Sequence, residues 1–316
     1  MVKPLTSFEI PFFRGPNRRQ NYINQLVAIY RDHFQSTLPA TLWHYTSIKK
    51  FEKILTSNEI WFGHVSSMQD AVEVMRAIEL ANVLIDATLN AADTNSRAKI
   101  LLNRMKTGLL RSNSGSRWYI ASFTEAFEDA AQWQRFGDNY RGVCIEFDTL
   151  ELLKYLSASA EDRLFLGKVI YDTQELLNFG SKLLAAALGN FSEDFAEVSD
   201  DNLAAEQFVS LWGELVDVFS VIPKVPSYSS EREWRFALDS SQHQISDGKF
   251  FDFDGKRKCR QGKGVTSDCA KSNLPIVSIK LGPNSTDIDA ELTKIALDKL
   301  GHSGMIVTKS ILKLNP

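Results

Sequence analysis

Short apolar runs recur along this chain at irregular intervals, with helical periodicity filling the stretches between them, and no other feature limits its fold as much. The runs fall at 42–45, 60–62, 118–123, 142–147, 164–171, 234–238, 276–281 and 305–308. Helical spacing covers 17–34, where Tyr22, Leu26, Ile29, Tyr30 and Phe34 share a face. It returns after Ser47, a capping residue, with Ile48, Phe51, Ile54 and Leu55. Further helices are expected over 70–111, over 173–220 in two pieces, and over 289–300 with Leu292, Ile295, Ala296 and Leu300 turned inward. Regular βαβ spacing and a glycine fingerprint are both missing, so the pattern predicts α+β rather than a doubly wound sheet. The expectation is one domain over 41–316, a central mixed β-sheet surrounded by helices, preceded by an N-terminal arm and helix over 1–40.

One segment reads as an insertion in that domain. Residues 254–273 carry Lys256, Arg257, Lys258, Arg260 and Lys263 among glycines, a basic loop expected to be a solvated surface feature. The whole chain has no comparable bias. Its 316 residues hold 36 Lys plus Arg against 39 Asp plus Glu, a formal charge of -3, so no global field draws nucleic acid or acidic lipid. At 44% hydrophobic and 24% charged it is not disordered, collagenous or a coiled coil. No apolar run approaches the roughly 20 residues of a membrane span, and no secretory signal opens the sequence. Cys144, Cys259 and Cys269 form no CxxC pair, and the five histidines are not at ligand spacing. A metal site is not expected, and the odd cysteine count fits a reducing cytoplasm.

Three polar clusters sit in or beside the β-rich runs. The first is Trp43-His44-Tyr45-Thr46-Ser47, a histidine in an apolar strand that leads into a helix N-terminus, where free N–H groups suit an anion or a ribose oxygen. The second runs from Ser122-Phe123-Thr124-Glu125 through Gln132-Trp133-Gln134-Arg135 to Gly142. The third is Glu231-Arg232-Glu233-Trp234-Arg235. Its two carboxylates, two residues apart on a strand, are expected on one side and both arginines on the other. Such a pair can raise one pKa, or hold a sugar hydroxyl and an acceptor proton jointly. A core histidine, core aromatics and a salt-bridged strand edge are the structural alternatives for the three.

Taken together and in order, these clusters resemble a widespread bacterial family, domain of unknown function 2971. The resemblance is carried by His44-Tyr45-Thr46-Ser47, Ile54-Leu55, the turn at Gln69-Asp70-Ala71-Val72-Glu73, the run from Trp133 to Asp148, Glu231-x-Glu-Trp-Arg, and Ile279-Lys280-Leu281-Gly282-Pro283. Gln69 and Ala71 depart from the family's Asn and Pro. More distantly, a His strand, an Ile-Leu helix and a short aromatic strand resemble the opening of ADP-ribosyltransferase folds, whose sheet is split.

That second resemblance implies NAD as substrate. It implies His44 as ribose ligand, with Tyr45, Thr46, Trp61, Ser122 and Thr124 around the cofactor; Tyr45, Trp61 and Phe62 are the stacking candidates. Glu233 is implied at the ribose 2′-hydroxyl and Glu231 on the acceptor side. It implies a metal-independent transferase or NAD glycohydrolase of the toxin or phage-defence kind, with a protein or nucleic-acid acceptor and an inhibitory partner. A buried carboxylate beside a ribose would stabilise the positive charge that develops as the nicotinamide bond breaks. The alternatives are a nucleotide- or nucleic-acid-processing enzyme of another reaction type, and a module that binds a nucleotide or partner without turnover.

Overall fold

A strand has two edges, and the third strand of this sheet divides one of them between two neighbours. In the computed structural model β3 (Trp118–Thr124) pairs along its whole length with β6 (Glu233–Asp239). Its other edge is shared. Near its start it meets β2 (Ile60–His64) through Gly63↔Ile120 and His64↔Tyr119, and at its end β1 (Thr41–Thr46) through Trp43↔Thr124. The sheet therefore forks at β3. One arm continues β1, β4 (Val143–Asp148), β9 (Ile276–Leu281), β10 (Ile306–Lys309); the other continues β2, β8 (Lys256–Gln261), β7 (Phe250–Phe253). Beyond β6 lies β5 (Leu164–Lys168). Among the described strands β9 and β10 alone pair in parallel, so the sheet is mixed. The structure describes residues 38–65, 71–91, 93–111, 118–157, 164–216, 221–239, 250–253, 256–261 and 273–313, together with Gln25, Ala28, Ile29 and His33.

Both faces of this sheet are covered, which is why β3 reads as an almost unbroken apolar run rather than an alternating one. Trp118 and Ile120 point to one face, where Ala237 and Phe165 join them. That face is closed by α2 (Ala71–Leu89), α3 (Ser96–Arg111), α6 (Thr173–Asp194) and α7 (Asp201–Val216) through Ala77, Leu101, Phe179, Phe191 and Phe208. Tyr119, Ala121 and Phe123 point to the other face, with Phe236, Phe62, Ile145 and Phe147. There α1 (Ile48–Ser57) contributes Phe51, Ile54 and Leu55 at helical spacing, and α5 (Thr149–Ser157) contributes Leu152 and Leu156. Ser47 accepts a hydrogen bond from the Lys50 amide to start α1, and left-handed Asn58 (φ 56°) ends it. A single α+β domain with helices outside a central sheet is thus what the sequence predicts.

Two local expectations change. The basic segment is not wholly a loop: residues 256–261 form β8, hydrogen-bonded between β2 and β7. A run of charged residues does not prevent a strand from forming where backbone partners exist on both sides; residues 262–272 lie outside the described ones. The last helix, α8 (Asp287–Lys299), is rotated from the predicted orientation. Leu297 is its buried residue, while Leu292 (59% exposed), Ile295 and the following Leu300 face outward. Most of the N-terminal arm and of the 17–34 helix, and the turn at 69–70, fall outside the described residues; 71–73 begin α2.

Candidate functional site

Antiparallel register fixes where the late motif's side chains go. Thr124 lies opposite Glu233 and Ser122 opposite Arg235, so all four share one face. Arg235 therefore does not face away from Glu233: two residues on, it stands beside it. Its Nε lies 2.9 Å from Glu233 Oε1 and its Nη2 3.1 Å from Oε2. Glu231 is not on the strand. It closes a 3-10 helix (Pro226–Glu231), and Arg232, with φ 41° in the left-handed region, turns the chain into β6. That irregular turn still brings the two carboxylates together, because Lys224 bridges them, its Nζ 2.7 Å from Glu231 Oε2 and 2.9 Å from Glu233 Oε2.

The cluster is closed from the other side by α4 (Ala130–Arg135), which Asp129 caps at the Gln132 amide. Arg135, in the last turn of α4, places Nη1 2.7 Å from Glu231 Oε1, and Gln132 Nε2 donates to the Glu231 carbonyl at 3.3 Å. The Arg135 guanidinium and the Lys224 ammonium both lie over the Tyr228 ring, 4.9 and 5.2 Å from its centroid. Glu231, Glu233, Lys224 and Arg235 are buried, whereas the Arg135 side chain is 47% exposed. Arg135, Lys224 and Arg235 pair with Glu231 and Glu233, and the solvent-facing cation among them is Arg135.

The two carboxylates differ in what they have left to offer. Burial alone would push the Glu233 carboxyl up, but Arg235 and Lys224 beside it, with hydrogen bonds from Arg235 and Ser122, outweigh that and hold it at about 2. An ionised carboxylate has about four acceptor positions. Those of Glu233 are met by Arg235 Nε, Arg235 Nη2, Lys224 Nζ and Ser122 Oγ. Glu231 accepts from Arg135 and Lys224, one bond at each oxygen, and so keeps acceptor capacity next to the half-exposed Arg135.

Thr124 and Tyr45 tie this cluster to the first arm. Thr124 Oγ1 donates to the Glu231 carbonyl at 2.5 Å and accepts from the Ala126 amide at 2.7 Å. Tyr45 Oη donates to the Ala126 carbonyl at 3.0 Å, and its ring meets Trp133 edge-on at 4.9 Å. Burial pushes the Tyr45 phenol up, so it stays a neutral donor. The loop between α4 and β4 is held by backbone approach. A Cβ on Gly142 would lie 2.2 Å from the Thr46 carbonyl oxygen, and one on Gly282 2.2 Å from that of Tyr140.

His44 does not join them. Trp43 pairs with Thr124, which places Trp43 and Tyr45 on the Glu233 face and His44 and Thr46 on the opposite one. The His44 ring lies 5.2 Å from Phe123, in the second core, and its Nδ1 donates to the Ser122 carbonyl at 3.0 Å. Burial lowers its pKa. The expected cleft lined by both His44 and Glu233 is therefore absent, and a mechanism that needs both on one NAD molecule does not fit this geometry. Trp61 stands on the other arm beneath Lys53, whose Nζ is 5.4 Å from the ring centroid, and Phe62 is completely buried. The structure thus gathers Tyr45, Ser122, Thr124, Glu231 and Glu233, and leaves out His44, Thr46, Trp61 and Phe62.

Sequence reading missed Lys224, Tyr228 and Tyr171, whose Oη accepts the Glu233 amide at 2.9 Å. Lys224 stands between Pro223 and Pro226 in an otherwise apolar stretch, the one signal that it is held rather than solvated. Among the described residues, no three His, Cys, Asp or Glu side chains come together as a metal site.

Residues 132–236, about a third of the chain, match the family model described as Protein of unknown function (DUF2971). No curated protein and no solved structure matches the chain. The resemblance to that family is therefore supported over this stretch, and a likeness to ADP-ribosyltransferases is not shown. The matched stretch begins at Gln132 and ends just past Arg235, so it contains Arg135, Tyr171, Lys224, Tyr228, Glu231 and Glu233. His44, Tyr45, Trp61, Ser122 and Thr124 lie outside it.

Proposed function

We propose that the chain handles a nucleotide at the Arg135–Tyr228–Glu231 edge of the buried ion cluster, with Glu231 as the working carboxylate. The observation that carries this reading is the asymmetry of the carboxylate pair: Glu233 has its acceptor positions filled, while Glu231 keeps capacity beside a half-exposed arginine. Arg135 is suited to a phosphate, since its planar fork pairs with oxyanions and is not lost to deprotonation. Glu231 can accept a ribose hydroxyl. Glu233, Arg235 and Ser122 would act through it, as positioning residues that hold the 3-10 turn against β6. Buried charges and a left-handed non-glycine residue are costly, and such strain concentrates at working sites.

NAD and ADP-ribose are the ligands to test first. The reaction a carboxylate there would serve is cleavage of the nicotinamide–ribose bond: nicotinamide leaves with the bonding pair, and water or another acceptor adds at the ribose carbon and releases a proton. His44 has no part in this reading. A second reading, binding without turnover, is favoured by the saturation of Glu233. Incubation with NAD and measurement of free nicotinamide separates the two. Turnover that falls on the order of 10²–10³-fold in Glu231→Gln supports an enzyme. NAD binding without nicotinamide release leaves the second reading, and no binding of either ligand defeats both.

A further inference from the structure

The last helix is apolar on two sides, and the sheet uses one of them. Leu297 is buried in the second core, and Ala290 packs against it. At about 100° per residue, Ile288, Leu292 and Ile295 lie roughly 140–180° around α8 from Leu297. They are 71%, 59% and 42% exposed. A surface helix ordinarily carries polar side chains on the side away from its core. Here that side holds an apolar stripe at i, i+4 and i+7, set in place by the Thr286–Asp289 capping box at the start of the helix and by buried Leu297 near its end. Single exposed apolar residues are ordinary, whereas a continuous run with a charged rim marks a surface that meets another molecule.

The charges around the stripe are divided along its length. The first half, 287–293, carries Asp287, Asp289 and Glu291 and no cation, a formal -3; the second, 294–300, carries Lys294 and Lys299 against Asp298, a formal +1. Asp287 meets Lys309 within the chain at 3.0 Å, and the half stays acidic without it. Lys299 continues the stripe, seven residues after Leu292. Two copies of this side laid antiparallel set each acidic half against the other copy's basic half. Parallel copies would oppose like to like, so the charges choose the antiparallel arrangement, as the helix dipoles do. Ala296, four residues on from Leu292, leaves room above the helix for a large apolar side chain of the other copy.

We propose that α8 is a self-association surface, the Ile288–Leu292–Ile295 stripe of one copy packing antiparallel on that of a second copy about a two-fold axis. One helix from each copy is a small interface, so monomer and dimer exchange reversibly. The proposal is independent of the Glu231 reading, since α8 shares no residue with that site.

Sedimentation equilibrium of the full chain across about 1–100 µM tests it. The wild type should shift with concentration from 35.6 kDa towards twice that mass. Leu292→Glu, at the middle of the stripe, should weaken association at least about tenfold. Lys299→Glu should weaken it about three- to tenfold at low salt, since the two-fold axis counts the reversed charge twice. Asp298→Lys should tighten it, an effect that damage to the fold does not produce. Melting curves on dilute, dissociated protein establish that each variant is folded. A wild type that stays monomeric at the highest concentration overturns the proposal. If Leu292→Glu then melts lower, the stripe is covered within its own chain; if it melts unchanged, the stripe is left to a different protein. Association untouched by Leu292→Glu, tightened by Lys299→Glu or weakened by Asp298→Lys would each overturn it as well.

Discussion

At the scale of single residues, register decides more than residue type. Glu231 and Glu233 read as a matched pair in sequence, yet one ends a 3-10 turn and the other opens a strand, and they differ in what remains free to accept. Glu233 is clamped by Arg235 and Lys224, so even an isosteric amide there would disturb a buried ion pair. Breaking a buried ion pair from one side commonly costs about 3–5 kcal/mol, because the remaining charges stay buried without compensation. Glu233→Gln is therefore expected to lower stability by that order in urea unfolding. The pH dependence has a definite sign. Glu233's folded pKa of about 2 lies below its ordinary 4.5, so its contribution is complete above about 4.5 and is lost as pH falls towards 2. The variant should show a shallower loss of stability than the wild type across that window. Lys224 could not have been paired with these carboxylates by reading sequence, because its position depends on a proline-flanked segment folding back onto β6.

At the scale of elements, strands were legible where both faces are apolar, as in β3, and helices where one stripe dominates, as in α1. The last helix had two apolar stripes. Ile288, Leu292 and Ile295 form one at helical spacing, and Ala290 with Leu297 forms the other; periodicity alone could not choose between them. Contact with the sheet selects the second. Leu297→Ala should cost about 2–5 kcal/mol, whereas Leu292→Ser should change stability by no more than about 0.5 kcal/mol in the same denaturation experiment. The glycines around the α4–β4 loop give an equally local expectation. Gly142→Ala forces a methyl to within 2.2 Å of a backbone oxygen of β1, which cannot swing aside as a side chain would. It should destabilise the fold by about 1–3 kcal/mol, readable as a fall in melting temperature.

At the scale of the whole molecule, one sheet lies between two large cores and forks at β3. The first arm, β3 and β6 bring Tyr45, Thr124 and the ion cluster together. The order of motifs along the chain was readable in advance, but not their distribution between faces. An alternation of two places His44 and Tyr45 on opposite sides, and only the Trp43↔Thr124 pairing says which side is which. The central claim is that the working site is the Glu231 edge and not a cleft at His44. Isothermal titration with ADP-ribose tests it most directly, comparing wild type, Arg135→Ala and His44→Ala, each first shown to be folded. The account predicts that Arg135→Ala weakens binding at least about tenfold, the loss expected for a charge-assisted contact, while His44→Ala keeps wild-type affinity despite a lower melting temperature. Binding that survives Arg135→Ala and is lost in folded His44→Ala would contradict it.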